Sequence, residues 1–214
     1  MEDQTFYVQG ILLTYIAFLF LVASPGPNVL CLIGASMSMG RMAGIWYALG
    51  ISTGTFTWAT MSVFGISALL TTYSTALYAL KIVGGVYLIW LSFNAFRSSF
   101  SKQEIHASSF KNDQSNSYYF RTAYVLNMSN PKAGFGWIAI VSLSYSHETP
   151  IWVGISVVVG TVLISLAVCS MYAVLFSTPI MVNAYKRARR LIQGFMGLFL
   201  GITGYKLLTS RGAA

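Results

Sequence analysis

Acidic side chains are the scarcest feature of this 214-residue chain, which has 13 Lys and Arg residues but only five Asp and Glu residues. Charged residues make up 8% of the sequence and hydrophobic residues 56%, whereas soluble domains carry about 25% charged residues. Such a deficit excludes an ordinary soluble domain and predicts an all-α integral membrane protein. The length allows roughly six spanning helices of about 20 residues each and leaves no room for a second soluble domain.

The net charge of +8 would indicate a nucleic-acid partner in a soluble protein. Most basic residues instead lie in short segments between apolar runs, as in the cytoplasmic loops of membrane proteins. We therefore expect the lipid bilayer, and no nucleic acid, as a partner. Cys31 and Cys169 lie in apolar runs and are expected to pack as small hydrophobes rather than to form a disulfide. Glu2 and Asp3 stand where a cleavable signal would be positive, so the first run is expected to be retained.

The apolar runs predict six helices in a single transmembrane domain over residues 1–214. Residues 39–42 predict the first turn, residues 98–119 a flexible cytoplasmic loop, and residues 186–190 a basic loop before the last helix. Helices 2 and 6 each contain a pair of glycines four residues apart, a pattern that lets helix backbones approach closely. Such faces fit packing within one chain and packing in a homo-oligomer equally well. The predicted helices cover about residues 8–37, 43–70, 77–96, 121–146, 151–176 and 191–208.

Helix 1 is interrupted by Pro25, Gly26 and Pro27, because the two prolines lack backbone donors and glycine lowers helix propensity. At membrane depth the freed backbone groups need partners in protein or in a water-filled cavity. A shift of 106 residues pairs Pro25 with Pro131 in helix 4, so both breaks fall in the first helix of a half. Since each half has three helices, the second enters the membrane from the opposite side, which predicts an inverted repeat (about residues 8–97 and 120–210) with a substrate site between the breaks.

Lys132 lies about a dozen residues into predicted helix 4, where a lysine costs roughly 2.5–3.5 kcal/mol on insertion scales. It is expected to bind a substrate carboxylate or exchange protons, unless it only snorkels to an interface. Asn28 and Asn130 flank the breaks, and their amides either grip a polar substrate or cap the broken helices. The predicted spans contain no Asp or Glu, so proton coupling would fall to Lys132, the substrate or water. The predicted substrate-binding residues are Pro25, Gly26, Pro27, Asn28, Asn130, Pro131 and Lys132.

No enzyme signature accompanies these residues. His106 and His147 are far apart in predicted loops, and no His, Cys or carboxylate cluster has metal-ligand spacing, so we predict no catalytic residue, cofactor or metal. Aromatic residues near the breaks either shape the cavity or, as is more common at helical spacing, serve as packing and interfacial anchors. These aromatic residues are Tyr15, Phe18, Trp58, Tyr87, Phe135 and Trp137.

The positions of Lys and Arg predict the orientation of the chain. The loops after helices 1, 3 and 5 carry basic residues, whereas those after helices 2 and 4 carry none. Because basic loops stay in the cytoplasm, both termini are predicted to be periplasmic. The basic residues of these loops are Arg41, then Arg97, Lys102, Lys111 and Arg121, then Lys186, Arg187, Arg189 and Arg190.

Pro25-Gly26-Pro27-Asn28, Asn130-Pro131-Lys132 and Gly85-Val86-Tyr87-Leu88 together resemble the LysE/RhtB family of amino-acid exporters, and the resemblance covers essentially the whole chain. It implies efflux of amino acids or their derivatives across the bacterial inner membrane, driven by the proton motive force. Neutral substrates such as threonine, homoserine or homoserine lactone are expected, because no membrane acid would pair with a basic side chain. Exporters of basic or sulfur-containing amino acids are the alternative, and a non-transport assembly or signalling subunit would not need paired breaks.

Overall fold

Seven α-helices, and no strand, make up the part of the chain that the computed structural model describes, which confirms the all-helical prediction. The described residues are 2–24, 26–72, 76–100, 114–144 and 149–209. The helices are α1 (Glu2–Ala23), α2 (Pro27–Thr72), α3 (Ala76–Phe100), α4 (Asn116–Met128), α5 (Pro131–Ser144), α6 (Ile151–Leu175) and α7 (Pro179–Thr209).

Three helical segments are long and apolar enough to cross a membrane: Pro27–Gly65, Ile151–Leu175 and Arg190–Thr209. Two shorter apolar segments, Tyr7–Ala23 and Ile82–Arg97, accompany them. Together they overlap five of the six predicted spans, whereas predicted helix 4 is divided between the short helices α4 and α5. The segments agree with a membrane protein, and the inverted six-span arrangement stays a prediction.

The outward faces of the helices are apolar. On α3, Val86, Trp90 and Phe93 form an exposed stripe, and Phe93 is 64% exposed. On α6, Ile155, Val159 and Leu163 lie four positions apart on a similar stripe. Side chains three, four or seven positions apart lie on one helix face. Stripes of this kind fit contact with lipid tails, since a soluble protein rarely exposes contiguous apolar surface of such extent.

The first predicted break is present, because α1 ends at Ala23 and α2 begins at Pro27. Proline suits the first position of a helix, where its missing N–H would have no helical acceptor. The predicted turn over residues 39–42 is smaller than expected. Only Gly40 leaves the helical conformation, with φ 85° and ψ −177°, a region that glycine adopts without steric cost. The part of predicted helix 1 that follows the break is therefore joined to predicted helix 2 across a kink at Gly40.

The second break lies between Met128 and Pro131, where α4 gives way to α5. Helix α4 begins at Asn116 rather than near Arg121, because the Ser115 hydroxyl accepts a hydrogen bond from the backbone N–H of Tyr118 at 3.3 Å and caps the helix. Because α3 extends to Phe100 and α4 begins at Asn116, the loop predicted over residues 98–119 is shortened at both ends. Residues 101–113 of that loop lie outside the described residues.

The basic loop predicted over residues 186–190 is wrong. Helix α7 begins at Pro179 and continues without interruption to Thr209, so this segment is helical and the last helix starts well before Leu191. Lysine, arginine and alanine are all good helix formers, and a proline at the first position starts a helix readily. Clustered positive charge indicates contact with water but does not distinguish a helix from a loop.

Helix α2 packs against α4 and α6, and α3 packs against α7. Both glycine pairs are used in these contacts. An added Cβ on Gly54 would lie 2.9 Å from Asn127 Cβ of α4, and one on Gly201 would lie 2.9 Å from Ser92 Oγ of α3. The Ser92 hydroxyl also donates to the Gly197 carbonyl at 2.6 Å. Between the two interpretations of these faces, the structure thus shows packing within one chain.

Candidate functional site

The two helix breaks meet in the folded chain. Lys132, the second residue of α5, extends its side chain to the end of α1, where its ammonium nitrogen Nζ donates to the carbonyl oxygen of Ser24 at 2.8 Å. The two residues are 108 positions apart in sequence. The Lys132 side chain therefore bridges the breaks and does not snorkel away from them.

Asn130 caps α5. Its side-chain oxygen Oδ1 accepts from the backbone N–H of Lys132 at 3.0 Å, and its carbonyl oxygen accepts from the N–H of Gly134 at 3.2 Å. Pro131 follows as the first helical residue, a position where its missing N–H costs nothing. Asn130 was predicted either to bind a polar substrate or to cap the broken helix. The geometry shows the cap, which fixes the backbone at Lys132.

The carbonyl groups at the end of α1 find partners in side chains of other helices. The phenol of Tyr172 in α6 donates to the Ala23 carbonyl at 3.1 Å, and Lys132 donates to that of Ser24. Terminal carbonyls have no partner within their own helix, and in an apolar bundle each unmet one is costly. Tyr172 was not predicted as part of the site, since it lies in an uninterrupted apolar helix without a distinguishing motif.

Gly26 provides space for the lysine side chain. An added Cβ at this position would lie 3.2 Å from Lys132 Cδ and 3.3 Å from Nζ. The Gly26 carbonyl accepts from the N–H of Leu30 at 2.9 Å and so begins α2, with Pro27 exposed as the first residue of that helix. Pro25, the remaining predicted residue of this break, lies outside the described residues.

A cavity of about 50 Å³ adjoins the bridge between the breaks. It is large enough for roughly four water molecules. Four predicted site residues line it, whereas Pro27 and Pro131 do not. None of the lining residues is acidic, so Lys132 is the charged side chain among them. The lining residues are Phe18, Leu21, Val22, Ser24, Gly26, Asn28, Val29, Ile51, Thr55, Asn127, Asn130, Lys132, Ala133, Trp137 and Cys169.

Asn127 is a further polar residue of this cavity. It is 3% exposed, and its amide Nδ2 donates to the carbonyl of Ile51 at 3.1 Å. Its own carbonyl accepts from Trp58 Nε1 at 3.3 Å, while Gly54 leaves room for its side chain. Asn127 was not predicted as a site residue. The prediction relied on the break at Pro131, and Asn127 lies before that break, in α4.

The side-chain oxygens of Asn127 and Asn28 are both buried and have no hydrogen-bond partner in the part of the chain that the structure describes. A buried polar atom left unpaired costs about 1–3 kcal/mol, and such atoms in a folded protein call for an explanation. The cavity therefore combines one cation with two uncharged acceptors. This set of groups is able to bind a small molecule that carries both an anionic group and a hydrogen-bond donor.

Two of the six predicted aromatic residues, Phe18 and Trp137, line the cavity, with ring centroids 5.3 Å apart. The others act nearby: Trp58 binds the Asn127 carbonyl, and the Tyr87 phenol donates to the Pro131 carbonyl at 3.4 Å. Phe135 packs beside Tyr87, and Tyr15 donates to the Ser156 carbonyl at 2.6 Å. Most of these aromatics therefore fix helices around the site.

A cation held between the ends of two interrupted helices, in a bundle with an apolar outer face, is the arrangement of a membrane transporter. The chain matches the LysE type translocator family over residues 19–211 and belongs to this family. The family resemblance carried by the two break motifs is thereby confirmed.

Several relatives match almost the full length. The uncharacterized membrane protein YahN of Escherichia coli strain K12 is 28% identical over 203 residues, which cover 94% of this chain and 90% of YahN. The threonine efflux protein of Salmonella typhi is 28% identical over 199 residues, 92% of this chain and 97% of the relative. The threonine efflux protein of Escherichia coli strain K12 is 25% identical over the same coverage. No solved structure matches the chain.

Proposed function

We propose that this translocator exports neutral amino acids or amino-acid derivatives, such as threonine, homoserine or homoserine lactone, across the bacterial inner membrane. The observation that carries the proposal is the position of Lys132 on the cavity between the breaks. An ammonium has three donors, and the bond to Ser24 uses one, which leaves up to two for the carboxylate of an amino acid or for the carbonyl oxygen of a lactone. The names of the threonine efflux relatives support the same substrate class.

The lack of an acidic residue among the cavity residues supports neutral over basic substrates, because a second ammonium would enter the cavity without a counter-charge. Apolar side chains supply much of the wall, including Leu21, Val29 and Trp137. They fit a small aliphatic side chain. Sulfur-containing or basic amino acids are the alternative substrates, and an efflux assay with a panel of amino acids distinguishes them from neutral ones.

The bridge between the breaks suggests how binding opens the site. A carboxylate that binds the two remaining donors of Lys132 draws the ammonium group away from the Ser24 carbonyl. Loss of that bond frees the end of α1 from the start of α5 and lets the two halves rock around the cavity, the motion of alternating access. We also propose that the proton motive force drives export. Lys132 and the Cys169 thiol are the titratable side chains of the cavity, so a coupled proton is carried by one of them, by the substrate or by water.

We propose further that both termini lie in the periplasm, with the basic segments in the cytoplasm. The positions of Arg41, Arg97 and the cluster at residues 186–190 support this orientation. Alkaline phosphatase, active only in the periplasm, fused to the C-terminus is expected to be active, and a fluorescent protein that folds only in the cytoplasm is expected to stay dark. An inactive phosphatase together with a fluorescent fusion would mean that the C-terminus lies in the cytoplasm and that the orientation is the opposite one.

The proposal is tested by efflux from cells loaded with a panel of radiolabelled amino acids, with and without the gene. Neutral amino acids are expected to leave faster when the protein is present. The Lys132→Ala variant is expected to abolish the difference at unchanged membrane abundance, whereas Lys206→Ala, which alters an exposed lysine of α7, is expected to transport normally. Equal efflux of every panel member with and without the protein would refute amino-acid export.

A further inference from the structure

Two buried amide oxygens that have no partner among the described residues belong to different helices lining one cavity. Asn28 Oδ1 comes from the start of α2 and Asn127 Oδ1 from the end of α4, and both residues line the space beside Lys132. Two other polar groups of the cavity have partners within the chain. The Asn130 side-chain oxygen caps α5, and the Thr55 hydroxyl lies 3.3 Å from that of Ser165.

Two donors in this part of the bundle bond to other acceptors. Lys132 Nζ donates to the Ser24 carbonyl, and Trp58 Nε1 donates to the backbone carbonyl of Asn127 rather than to its side chain. The Asn127 amide is also held in place, because its Nδ2 donates to the Ile51 carbonyl. That bond directs the amide nitrogen to Ile51 of α2, and the amide oxygen lies near Gly54 of the same helix, 3.2 Å from where an added Cβ would stand. A buried acceptor of this kind is satisfied by a donor from a ligand or by water.

We propose that Asn127, together with Asn28, accepts hydrogen bonds from the α-ammonium group of the transported amino acid, while Lys132 binds its carboxylate. The assignment rests on the proposed function and names two specificity-determining residues for it. An ammonium group carries three donors, enough for both oxygens. Neutral amide oxygens bind this group without adding a negative charge, so the site selects substrates with a free α-ammonium group and disfavours a second cationic group on the side chain.

Water is the competing occupant of the two oxygens. The cavity is large enough for a few water molecules, and each can donate to an amide oxygen. If water alone satisfies these oxygens, a substrate gains nothing from a free ammonium group. A substrate whose ammonium group is chemically blocked therefore distinguishes binding by water from binding by the substrate.

The test uses the purified full-length protein in detergent and isothermal titration calorimetry. A panel of the standard amino acids and homoserine first identifies the tightest ligand. The N-acetyl derivative of that ligand, which keeps the carboxylate but loses the ammonium charge and two donors, is then titrated. We expect N-acetylation to weaken binding by about tenfold or more, since bonds to charged groups are the strong ones.

The variant Asn127→Ala is expected to weaken binding of the free amino acid but not of its N-acetyl derivative, so that the ratio of the two affinities falls toward one. A purely structural role would weaken both equally. Asn28→Ala is the second variant and should show the same pattern if Asn127→Ala does not fold. Asn127→Asp is expected to shift preference toward lysine. Asn94→Ala, in α3 and away from the cavity, is the matched control and should leave the ratio unchanged.

Two results would overturn the assignment. One is an N-acetyl derivative that binds wild type as tightly as the parent amino acid, while Lys132→Ala still weakens both; the proposed export function would then survive without this ammonium site. The other is equal weakening of both ligands by Asn127→Ala and Asn28→Ala. If no member of the panel binds at all, the proposed function fails and this assignment fails with it.

Discussion

The ammonium nitrogen of Lys132 lies 2.8 Å from the carbonyl oxygen of Ser24, which joins the start of α5 to the end of α1. A cation at the second position of a helix is unfavourable for that helix, because the N-terminus already carries partial positive charge. The same cation is favourable at the C-terminal end of another helix, where the partial charge is negative. The bond to Ser24 therefore offsets the unfavourable position of Lys132 at the start of α5. A substrate that breaks this bond must itself stabilise the ammonium group.

Separate substitutions of Lys132 are expected to distinguish its charge from its length. Lys132→Met keeps most of the side chain but removes the charge and the donor, and we expect transport to fall at least about tenfold, as for the loss of a hydrogen bond from a charged group. Lys132→Arg keeps the charge and should retain part of the activity, limited by its bulk beside Gly26. Initial rates in proteoliposomes at equal protein content measure both. Full activity of the methionine variant would contradict a charge-based role.

Gly26→Ala is expected to lower transport by displacing the lysine side chain. The added Cβ would lie 3.2 Å from Lys132 Cδ and 3.3 Å from Nζ, tighter than an ordinary van der Waals contact, so the side chain must shift by a few tenths of an ångström and its bond to Ser24 is disturbed. The matched control is Gly194→Ala, because a Cβ there meets no atom within 4 Å. Proteoliposome transport checks both variants. Equal activities would mean that the position of the Lys132 side chain is not limiting.

Tyr172→Phe removes the phenol that donates to the Ala23 carbonyl at 3.1 Å. The carbonyl at the end of α1 is then left without that partner. We expect the free energy of unfolding to fall by about 1 kcal/mol, within the range measured for such bonds in membrane proteins. Thermal unfolding in detergent should show a lower midpoint for this variant. Tyr205→Phe, on an exposed side chain of α7, is the control. A midpoint as high as that of the control would show that water or another donor replaces the phenol.

The sequence predicted the helix breaks well, because proline and glycine act locally. Pro27 and Pro131 begin helices close to where their chemistry requires, and Lys132 was conspicuous as a cation in an apolar run. Boundaries set by competing local preferences were predicted less well, as with Ser115, whose capping bond starts α4 earlier than expected. The partners that complete the site could not be predicted. Tyr172 and Asn127 reach it through packing of α6 and α4 against other helices, and no local pattern encodes such contacts.

The contact between Gly54 and Asn127 yields a last prediction, on stability. An alanine Cβ at Gly54 would lie 2.9 Å from both Cβ and Cγ of Asn127, so α2 and α4 must separate or the amide must shift away from the Ile51 carbonyl. Overpacking of this kind costs about 1–3 kcal/mol, and the unfolding midpoint in detergent should fall. The added Cβ of Gly65→Ala, on the same helix, would meet no atom of the described residues within 4 Å, and this variant should leave the midpoint unchanged or raise it, since alanine favours helix over glycine. Equal midpoints for the two variants would show that the α2–α4 contact is loose enough to absorb a methyl group.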